Sequence, residues 1–366
     1  MKPSPLRLVI LGLSITSSWG NGHATTYRSL VRELAARGHQ VLFLERNVPW
    51  YAANRDLAAP PYGQTILYAG LRELKERFGQ AIREADLVMV GSYVPEGIAV
   101  GRWVTKTAGG ITCFYDIDTP VTVARLEKGD CEYLSLDLVP RYHLYLSFTG
   151  GPILERLDHH FGSPCVRPLY CSVDPELYYP QKGKVTWHLG YMGTYCDDRQ
   201  PMLNRLMLEP ARRWPKGRFA IAGPLYPATI TWPSNIERIE HLPPAQHCRF
   251  YNKQKFTLNL TRVCMVQAGY SPSVRLFEAA ACATPIISDY WDGLETLFEP
   301  GKEILVARTP EHILAYLHDI PEGERQAIGL RARGRIMAEH TAGHRAVQLE
   351  SYIREMQTAP KINFIP

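Results

Sequence analysis

The chain has 366 residues, which is more than one ordinary hydrophobic core holds and therefore predicts two domains. A composition of 45% hydrophobic and 21% charged residues is that of a soluble globular protein. The 41 basic and 36 acidic residues give a net charge of +5 and are scattered, so we expect no nucleic-acid-binding stripe. A positive cleft for an anionic ligand and loose contact with an acidic membrane surface are both compatible with this charge.

The terminal segment and the cysteines indicate the compartment. Lys2 and Arg7 precede the apolar run 8–15, an order that is also found in signal peptides. The loop and amphipathic helix that follow favour a buried first strand instead. No apolar run reaches the ~18 residues that a transmembrane helix needs. The eight cysteines stand singly without a C-x-x-C pair, which argues against zinc and predicts a reduced, cytoplasmic setting.

The first half alternates strands with helices, the order of a doubly wound parallel sheet. Strands are predicted at 6–15, 40–44, 86–91, 111–116, 143–147 and 166–170. Helices are predicted from Thr25 or Thr26 to Gly38, at 71–85 and 96–108, and after Gly151 up to His160. The aromatic and proline-bearing stretch 47–63 is predicted to be irregular.

A turn-rich link at 171–184 separates the halves, after which the pattern restarts. Strands are predicted at 186–192, 218–222, 236–241, 256–260, 285–289 and 304–306. Helices are predicted at 201–213, 243–252, after Ser273, after a Thr309 cap, and at 322–339 and 344–356.

The chain is thus predicted to be an α/β protein with two Rossmann-like domains. The first domain spans 1–170, the second spans 171–340, and a helix with a tail at 341–366 packs back on the first. Open parallel sheets bind ligands at the carboxyl ends of their strands, so we expect the active site in the cleft between the domains.

The stretch 270–289 contains the strongest binding pattern. A turn of Ser271, Pro272 and Ser273 opens a short helix, and unpaired N–H groups at a helix start favour a phosphate. Glu278, further along this helix, can accept hydrogen bonds from a ribose, and Arg275 points either to the phosphates or into solvent. The alternative is an ordinary βα unit with a surface glutamate and Ser273 as its N-cap.

These residues resemble a known family. The second half is similar to the donor domain of GT-B glycosyltransferases in the segments 172–180, 190–195, 276–288 and 299–307. More closely, the chain resembles the CgeB-type (spore maturation protein) glycosyltransferases in the segments 18–28, 43–51, 115–122 and 270–278.

The resemblance implies a nucleotide-sugar donor in the second domain, an acceptor against the first, and no obligatory metal. UDP-sugars are favoured by family frequency, with dTDP- and GDP-sugars as alternatives. Retaining relatives often carry two glutamates eight positions apart, but Tyr270 stands at the first position here, which leaves the stereochemical course open. The acceptor, whether a glycan, a small molecule or a protein, is not specified.

The loop after the first strand of the second half supplies further donor candidates. It contains Thr194 and Tyr195, followed by Arg199, whose guanidinium can hold two oxygens of the leaving diphosphate. Arg262 is a second candidate for that charge. The competing interpretation pairs Arg199 with Asp197 or Asp198 at a helix end.

The first half supplies candidates for proton transfer. Asn21 and Gly22, which we expect to contact the donor, precede His23 in a strand-end loop. A histidine of near-neutral pKa suits a general base. Asp116 and Asp118 end another strand and are alternatives as the base, as partners of His23 or as acceptor ligands. A metal role for this pair is rejected on the two-domain pattern, and an Asx turn at Asp118 is the structural alternative.

Two other functions fit the same architecture. A nucleotide-sugar epimerase acts on the donor without an acceptor, and a catalytically silent partner protein binds nucleotide without turnover. A dinucleotide oxidoreductase is disfavoured because the first loop lacks G-x-G-x-x-G.

Overall fold

The structure is a computed structural model that describes residues 4–358. The chain divides into two compact units: one contains the residues up to Tyr170 and those from Ala342 onwards, and the other contains Cys171–Thr341. Each unit is built on one parallel sheet. Lys2 and the end of the predicted C-terminal tail, residues 359–366, lie outside the described residues.

Within residues 4–358, the first unit has a seven-stranded sheet. Its strands are β1 (Arg7–Gly12), β2 (Gln40–Arg46), β3 (Gln64–Tyr68), β4 (Leu87–Gly91), β5 (Ile111–Asp116), β6 (Leu144–Ser147) and β7 (Val166–Pro168). Their order is β3-β2-β1-β4-β5-β6-β7, and every neighbouring pair is parallel. Right-handed crossovers that run outward from β1 in both directions place helices on both faces of such a sheet. β1 is accordingly buried beyond its first residue.

The helices of the first unit follow the strands in alternation. They are α1 (His23–Ala36), α2 (Pro49–Ala52), α3 (Leu71–Glu84), α4 (Gly97–Thr107), α5 (Thr119–Lys128) and α6 (Pro152–His159), with a 3-10 turn at Val139–Arg141. α1 buries one apolar stripe that includes Tyr27, Leu30, Val31 and Leu34.

The second unit, whose residues are all described, has a six-stranded parallel sheet. Its strands are β8 (Trp187–Met192), β9 (Phe219–Ala222), β10 (Ile236–Ile239), β11 (Gln254–Asn259), β12 (Ile286–Ser288) and β13 (Leu305–Val306). Their order is β10-β9-β8-β11-β12-β13, so the strand order reverses between β8 and β11.

The helices of the second unit complete the alternation. They are α7 (Gln200–Leu203), α8 (Glu209–Arg213), α9 (Pro244–Asn252), α10 (Val263–Ala268), α11 (Val274–Ala281), α12 (Pro310–Asp319) and α13 (Glu322–Glu339), with a 3-10 turn at Leu294–Thr296. A π-helical turn at Asn204–Leu208 joins α7 and α8 into one helix.

The last helix, α14 (Ala342–Thr358), belongs to the first unit and packs against α1. Its buried Glu350 accepts hydrogen bonds from Nε and Nη2 of Arg37, at 2.5 and 2.8 Å, and lies 2.8 Å from Nε2 of His39. Nδ1 of His39 accepts the Leu6 N–H at 3.1 Å, so the Nε2 proton is directed to Glu350. The hydrogen bonds from Arg37 hold the pKa of Glu350 below its usual range.

Most predicted elements are present close to their predicted positions, but β3, α5 and α10 were missed, and the stretch 47–63 that was predicted to be irregular contains the four-residue helix α2. β3 is a short edge strand with mainly half-buried side chains, so it has no continuous apolar run. α5 begins at Thr119–Pro120, directly after Asp118, where an Asx turn was the structural alternative. Proline is well tolerated in the first turn of a helix.

The predicted start of α1 is also wrong. The helix begins at His23, and the hydroxyls of Thr25 and Thr26 donate back to the Gly22 carbonyl instead of capping the helix. The predicted Thr309 cap of α12 is confirmed, since its hydroxyl accepts the His312 N–H.

We expect Glu350→Ala to lower the free energy of unfolding by on the order of 3 kcal/mol, because Arg37 and His39 lose a buried acceptor. Glu355→Ala on the same helix is the control: Glu355 is exposed, lies 3.6 Å from Arg167, and should cost less than about 1 kcal/mol. Urea unfolding of both variants measures the difference. Since the pKa of Glu350 is lowered by folding, the deficit of Glu350→Ala should shrink as the pH falls below the ordinary value of 4.5. Equal deficits in the two variants at neutral pH would contradict the anchoring role.

Candidate functional site

Each unit carries a cluster of polar side chains where its strands end. In the second unit the cluster lies around the ends of β8 and β11, and in the first around the ends of β1, β4 and β5. Both places adjoin a reversal of strand order, where open parallel sheets bind ligands. Each cluster is therefore a candidate ligand site within its own unit.

Arg275, in the first turn of α11, is fixed over the ends of two central strands. Its Nε donates to the Met192 carbonyl at 2.6 Å, and its Nη1 donates to the Asn259 side-chain oxygen at 2.7 Å. The guanidinium also lies 4.8 Å from the centre of the Tyr191 ring. Arg275 is only 7% exposed, so the alternative in which it points into solvent is wrong.

The remaining nitrogen of Arg275, Nη2, has no hydrogen-bond partner among the described residues. It lies beside Gly193, where an added Cβ would stand 2.9 Å from Nη2 and 2.7 Å from the Tyr191 hydroxyl. Glycine at 193 therefore keeps the space in front of this guanidinium open.

Arg199 is a second cation at the end of β8. Its Nη2 donates to the Thr194 carbonyl at 2.6 Å, while its Nε is buried and has no acceptor. It forms no ion pair with a carboxylate within residues 4–358. A buried donor without an acceptor costs roughly 1–3 kcal/mol, which a bound anion would relieve.

The pairing of Arg199 with Asp197 or Asp198 is wrong because both aspartates have other partners. Asp198 lies 3.7 Å from Nε of Arg262 and accepts the Val263 N–H at 3.3 Å. Asp197 accepts the Tyr195 hydroxyl at 2.5 Å. The charge of Arg262 is thus partly compensated, whereas that of Arg199 is not.

Tyr226, in the loop after β9, brings a third guanidinium into this cluster. Arg238 lies 4.3 Å from the centre of its ring, and the Tyr226 hydroxyl donates to the Gly193 carbonyl at 3.1 Å. Burial raises the pKa of this phenol, while the nearby charges of Arg199, Arg238 and Arg275 oppose the rise. None of the three arginines forms an ion pair with a described carboxylate, so the cluster has a concentrated positive charge.

The start of α11 adds to that charge. Ser273 occupies the N-cap position but does not cap the helix, since its hydroxyl donates to the Asn259 side chain at 2.7 Å. The first-turn N–H groups therefore have no side-chain acceptor, as an anion site requires. Ser271 is 2% exposed, and the Pro272 carbonyl accepts the Cys171 thiol at 3.4 Å.

Tyr270, just before this turn, has a strained backbone with φ of 47°. Its N–H donates to the Asp292 carbonyl at 2.6 Å, and its ring covers Gly293, where a Cβ would stand 2.5 Å from the ring. The tyrosine thus fixes the loop after α10 to the segment after β12.

Glu278 is 4% exposed, so the alternative of a surface glutamate is wrong. Its Oε2 accepts the hydroxyl of Tyr251, on α9, at 2.9 Å. Tyr251 is fully buried, and its hydroxyl orients the Glu278 carboxylate.

In the first unit, a carboxylate fixes the loop that precedes α1. Glu45, at the end of β2, accepts the N–H groups of Ile15 and Thr16 at 2.7 and 3.0 Å. Asn21 closes the loop, since its side-chain oxygen accepts the Ala24 N–H at 3.1 Å and its amide donates to the loop carbonyls of residues 17 and 19. Asn21 and Gly22 therefore shape the start of α1.

His23, the first residue of α1, is 9% exposed, and its Nδ1 has no hydrogen-bond partner. Its ring meets Tyr93 edge-on with the centroids 5.5 Å apart. Burial lowers the pKa of His23 to about 4, so the expectation of a near-neutral value is wrong. The side chain is neutral at pH 7 and is a weak base.

Tyr93, after β4, joins His23 to Asp118. Its hydroxyl donates to Oδ2 of Asp118 at 2.9 Å, and its backbone is strained with φ of 63°. Asp118 is half-buried at the N-cap of α5, where its side chain makes no capping hydrogen bond. Bulky residues with positive φ are rare and cluster at functional sites.

Asp116, unlike Asp118, is completely buried. Its oxygens accept hydrogen bonds from the hydroxyls of Tyr145 at 2.6 Å and Thr122 at 2.7 Å, and from the Asp118 N–H at 3.2 Å. Burial raises the pKa of Asp116 to about 6, although these hydrogen bonds oppose the rise. Asp116 therefore has no surface open to a ligand, and one of its oxygens holds the main-chain N–H of Asp118.

Several residues of these clusters were missed from the sequence, including Arg238, which lies within a predicted strand. Asn259 carried a signal, because it is a polar residue that ends an otherwise apolar strand. Tyr93 carried a weaker one, as an aromatic residue in a strand-end loop. Tyr251 carried none, since a tyrosine within a helix looks like an ordinary core residue.

No group of three or more His, Cys, Asp or Glu side chains in the described chain is arranged to hold a metal ion. No helix within residues 4–358 has the length and apolarity needed to cross a membrane.

Residues 199–351 match a family model described as glycosyl transferase-like. No curated protein sequence matches the chain. The family match begins at Arg199 and includes α11 and Glu278, so it contains most of the polar cluster of the second unit.

Solved structures share the fold along almost the whole chain. Sucrose-phosphate synthase from Thermosynechococcus elongatus has a TM-score of 0.70 at 14% identity and covers 97% of this chain and 100% of its own. Anabaena HepE, in complex with UDP and glucose, has a TM-score of 0.71 at 10% identity, covering 96% and 100%.

An alpha-glucosyltransferase in complex with UDP has a TM-score of 0.71 at 10% identity, covering 95% and 100%. The same glucosyltransferase is also known in complex with UDP and a 13-mer DNA. The chain therefore has the GT-B glycosyltransferase fold of two Rossmann-like domains, and at these identities the likeness establishes the fold alone.

The burial of His23 predicts a pH-dependent loss of stability. Because its pKa falls from 6.5 to about 4 on folding, its stabilising contribution is complete above pH 6.5 and is lost as the pH falls towards 4. The full difference corresponds to roughly 3 kcal/mol. We expect the difference in free energy of unfolding between wild type and His23→Gln to become smaller as the pH falls from 6.5 to 4. Urea unfolding measures this difference.

His159→Gln is the control, because His159 is exposed on α6 of the same unit. The raised pKa of Asp116 has the opposite effect on stability, but Asp116 is present in every variant and cancels in the difference. A gap that stays constant from pH 7 to 4 would contradict a buried, neutral His23.

Proposed function

We propose that this chain, whose residues 199–351 match a glycosyl transferase-like family, transfers a hexosyl unit from a UDP-sugar to an acceptor hydroxyl. The observation that carries the proposal is the positive cluster of Arg199, Arg238 and Arg275 beside the uncapped start of α11. Such a cluster fits the diphosphate of a nucleotide sugar, which carries negative charge in the substrate and gains more when the glycosidic bond breaks.

The two most suitable groups for the diphosphate are the unpartnered nitrogens. Nη2 of Arg275 faces the open space at Gly193, and Nε of Arg199 has no acceptor. A guanidinium can hold two oxygens at once, so both residues can stabilise UDP as it leaves. We propose that the positive charge of this cluster replaces the divalent cation that other nucleotide-sugar enzymes employ.

Glu278 is proposed to bind the ribose hydroxyls. It lies one turn beyond Arg275 on the same helix, and the Tyr251 hydroxyl holds Oε2 in place. Thr194 and Tyr195 belong to the same strand-end loop as Arg199 and are proposed to contact the donor. UDP is the favoured nucleotide because the structures of HepE and of the alpha-glucosyltransferase are complexes with UDP, and that of HepE also contains glucose.

The cluster of the first unit is proposed to act on the acceptor. In the transfer step the acceptor oxygen forms a bond to the anomeric carbon, the bond from that carbon to the diphosphate breaks, and the hydroxyl proton goes to a base. Asp118 is the stronger candidate, because its carboxylate is half-buried and oriented by Tyr93, whereas the imidazole of His23 is almost completely buried. His23 then contributes a neutral ring against the acceptor.

Arg199→Gln should raise the Kd for UDP about 10- to 100-fold, since a hydrogen bond to a charged group contributes roughly 1.5–3 kcal/mol. Isothermal calorimetry with EDTA present measures this change. The effect on uridine should be small, because uridine has no diphosphate.

Arg205→Gln is the matched control, as Arg205 is exposed in the same helix. A thermal-shift panel of UDP, dTDP, GDP and ADP with their sugars identifies the base. Unchanged UDP affinity in Arg199→Gln, or binding that requires a metal, would overturn the donor site as proposed.

Asp118→Asn should lower kcat of transfer by on the order of 10²-fold and leave the Kd for UDP unchanged, because it removes the base without touching the donor cluster. Tyr93→Phe should cause a smaller loss, since it removes one hydrogen bond to Asp118. Asp130→Asn, at an exposed position after α5, is the control.

Turnover is followed as UDP release from UDP-glucose over an acceptor screen that includes glycans, small hydroxyl compounds, proteins and a DNA oligomer. Full activity of Asp118→Asn would exclude it as the base. Epimerised or hydrolysed donor without any acceptor product would point instead to an epimerase.

A further inference from the structure

Two of the eight cysteines, which stand singly in the sequence, meet in the second unit. Sγ of Cys248 on α9 lies 3.9 Å from Sγ of Cys282 at the end of α11. Both side chains are buried, at 6% and 3% exposure. The side-chain amide of Asn252 approaches Sγ of Cys248 at 3.5 Å.

The environment of Cys248 favours a thiolate. The Cys282 thiol donates to Cys248 and, with Asn252, lowers the pKa of Cys248 to about 6 against the effect of burial. The pKa of Cys282 is raised, first because it is the donor in this pair. Sγ of Cys248 also lies 3.3 Å from the Tyr179 carbonyl. The two sulfurs are in direct contact, as an attacking and a resolving cysteine must be.

The same two helices hold the proposed ribose carboxylate. Tyr251 is three residues after Cys248 on α9, and Glu278 is four residues before Cys282 on α11. The sulfur pair and the Tyr251–Glu278 hydrogen bond are therefore neighbouring links between α9 and α11.

We propose that Cys248 and Cys282 are a modification site, a dithiol that a peroxide oxidises to a disulfide, and that this disulfide lowers the affinity of the second unit for nucleotide. The second part rests on the proposed function, because it requires Glu278 to bind ribose.

The reaction balances with hydrogen peroxide as the oxidant. The Cys248 sulfur attacks one peroxide oxygen, the O–O bond breaks, and a sulfenic acid and one water form. The Cys282 sulfur then attacks the sulfenic sulfur, which forms the S–S bond and releases a second water. Overall the two thiols lose two electrons and two protons, and the peroxide is reduced to two waters.

Closing the sulfur pair changes the contact between α9 and α11. A disulfide needs an S–S distance of about 2.05 Å, so the gap of 3.9 Å shortens by nearly half. The Tyr251–Glu278 hydrogen bond is already at 2.9 Å and cannot shorten with it. The part of this change that rotation of the two cysteine side chains does not absorb shifts Glu278 relative to Tyr251, which misplaces the carboxylate that the ribose requires.

The test compares reduced and peroxide-treated full-length protein. Peptide mapping by mass spectrometry without reductant should find a Cys248–Cys282 crosslink that dithiothreitol reverses. Calorimetry should find a Kd for UDP raised at least about threefold in the crosslinked protein, and reversed with the crosslink. Amide exchange of α11 around Glu278 should increase at the same time.

Cys248→Ser and Cys282→Ala should each abolish the crosslink and the change in Kd, whereas Cys165→Ser, at a half-buried thiol of the first unit, should leave both intact. Thermal unfolding verifies that each variant is folded. Absence of the crosslink when other thiols have reacted would overturn the modification site. A crosslink with unchanged exchange at Glu278 and unchanged Kd would overturn its coupling to the nucleotide.

Failure of the proposed function gives a different result. If the reduced wild type has no affinity for any nucleotide, the donor site is wrong, while the peptide map still decides whether the disulfide forms and amide exchange still decides whether it moves α11.

Discussion

The central feature of the second unit is a group of three positively charged side chains. Arg199, Arg238 and Arg275 are brought together at the ends of the central strands without an ion-pair partner in the described chain. Their nitrogens are held instead by main-chain carbonyls, by the side chain of Asn259 and by aromatic rings. These neutral partners fix the guanidiniums but do not neutralise their charge. The positive charge is therefore available to bind an anionic ligand.

Local sequence patterns explain which features of the fold could be predicted from the sequence. The βα alternation, the restart after residue 184 and the stretch 270–289 follow from local patterns, namely apolar runs, helix stripes and turn residues. β3 and α5 do not, because β3 is a half-buried edge strand and α5 starts at a Thr-Pro pair that also fits a turn. Edge strands and proline-started helices depend on what packs against them.

The candidate sites were predictable as loops but less so as individual side chains. Arg275 and Glu278 were identified, yet their burial and their partners Asn259 and Tyr251 come from other strands and helices. The role of His23 was misjudged for the same reason: its pKa depends on how completely Tyr93 and the surrounding loops exclude water. Burial is a tertiary property, and a sequence motif does not contain it.

Two tyrosines have a strained backbone, which lowers the stability of the fold. Tyr93 in the first unit and Tyr270 in the second both have left-handed backbones, and each stands in a segment that follows a strand adjoining the central one. Such a backbone costs about 1–3 kcal/mol and persists only when other contacts hold it. The Asp118 carboxylate holds Tyr93 through its hydroxyl, and the Asp292 carbonyl and Gly293 hold Tyr270. The strain is thus retained beside the proposed base in one unit and beside the proposed phosphate-binding turn in the other, where fixed geometry benefits a ligand more than it benefits the fold.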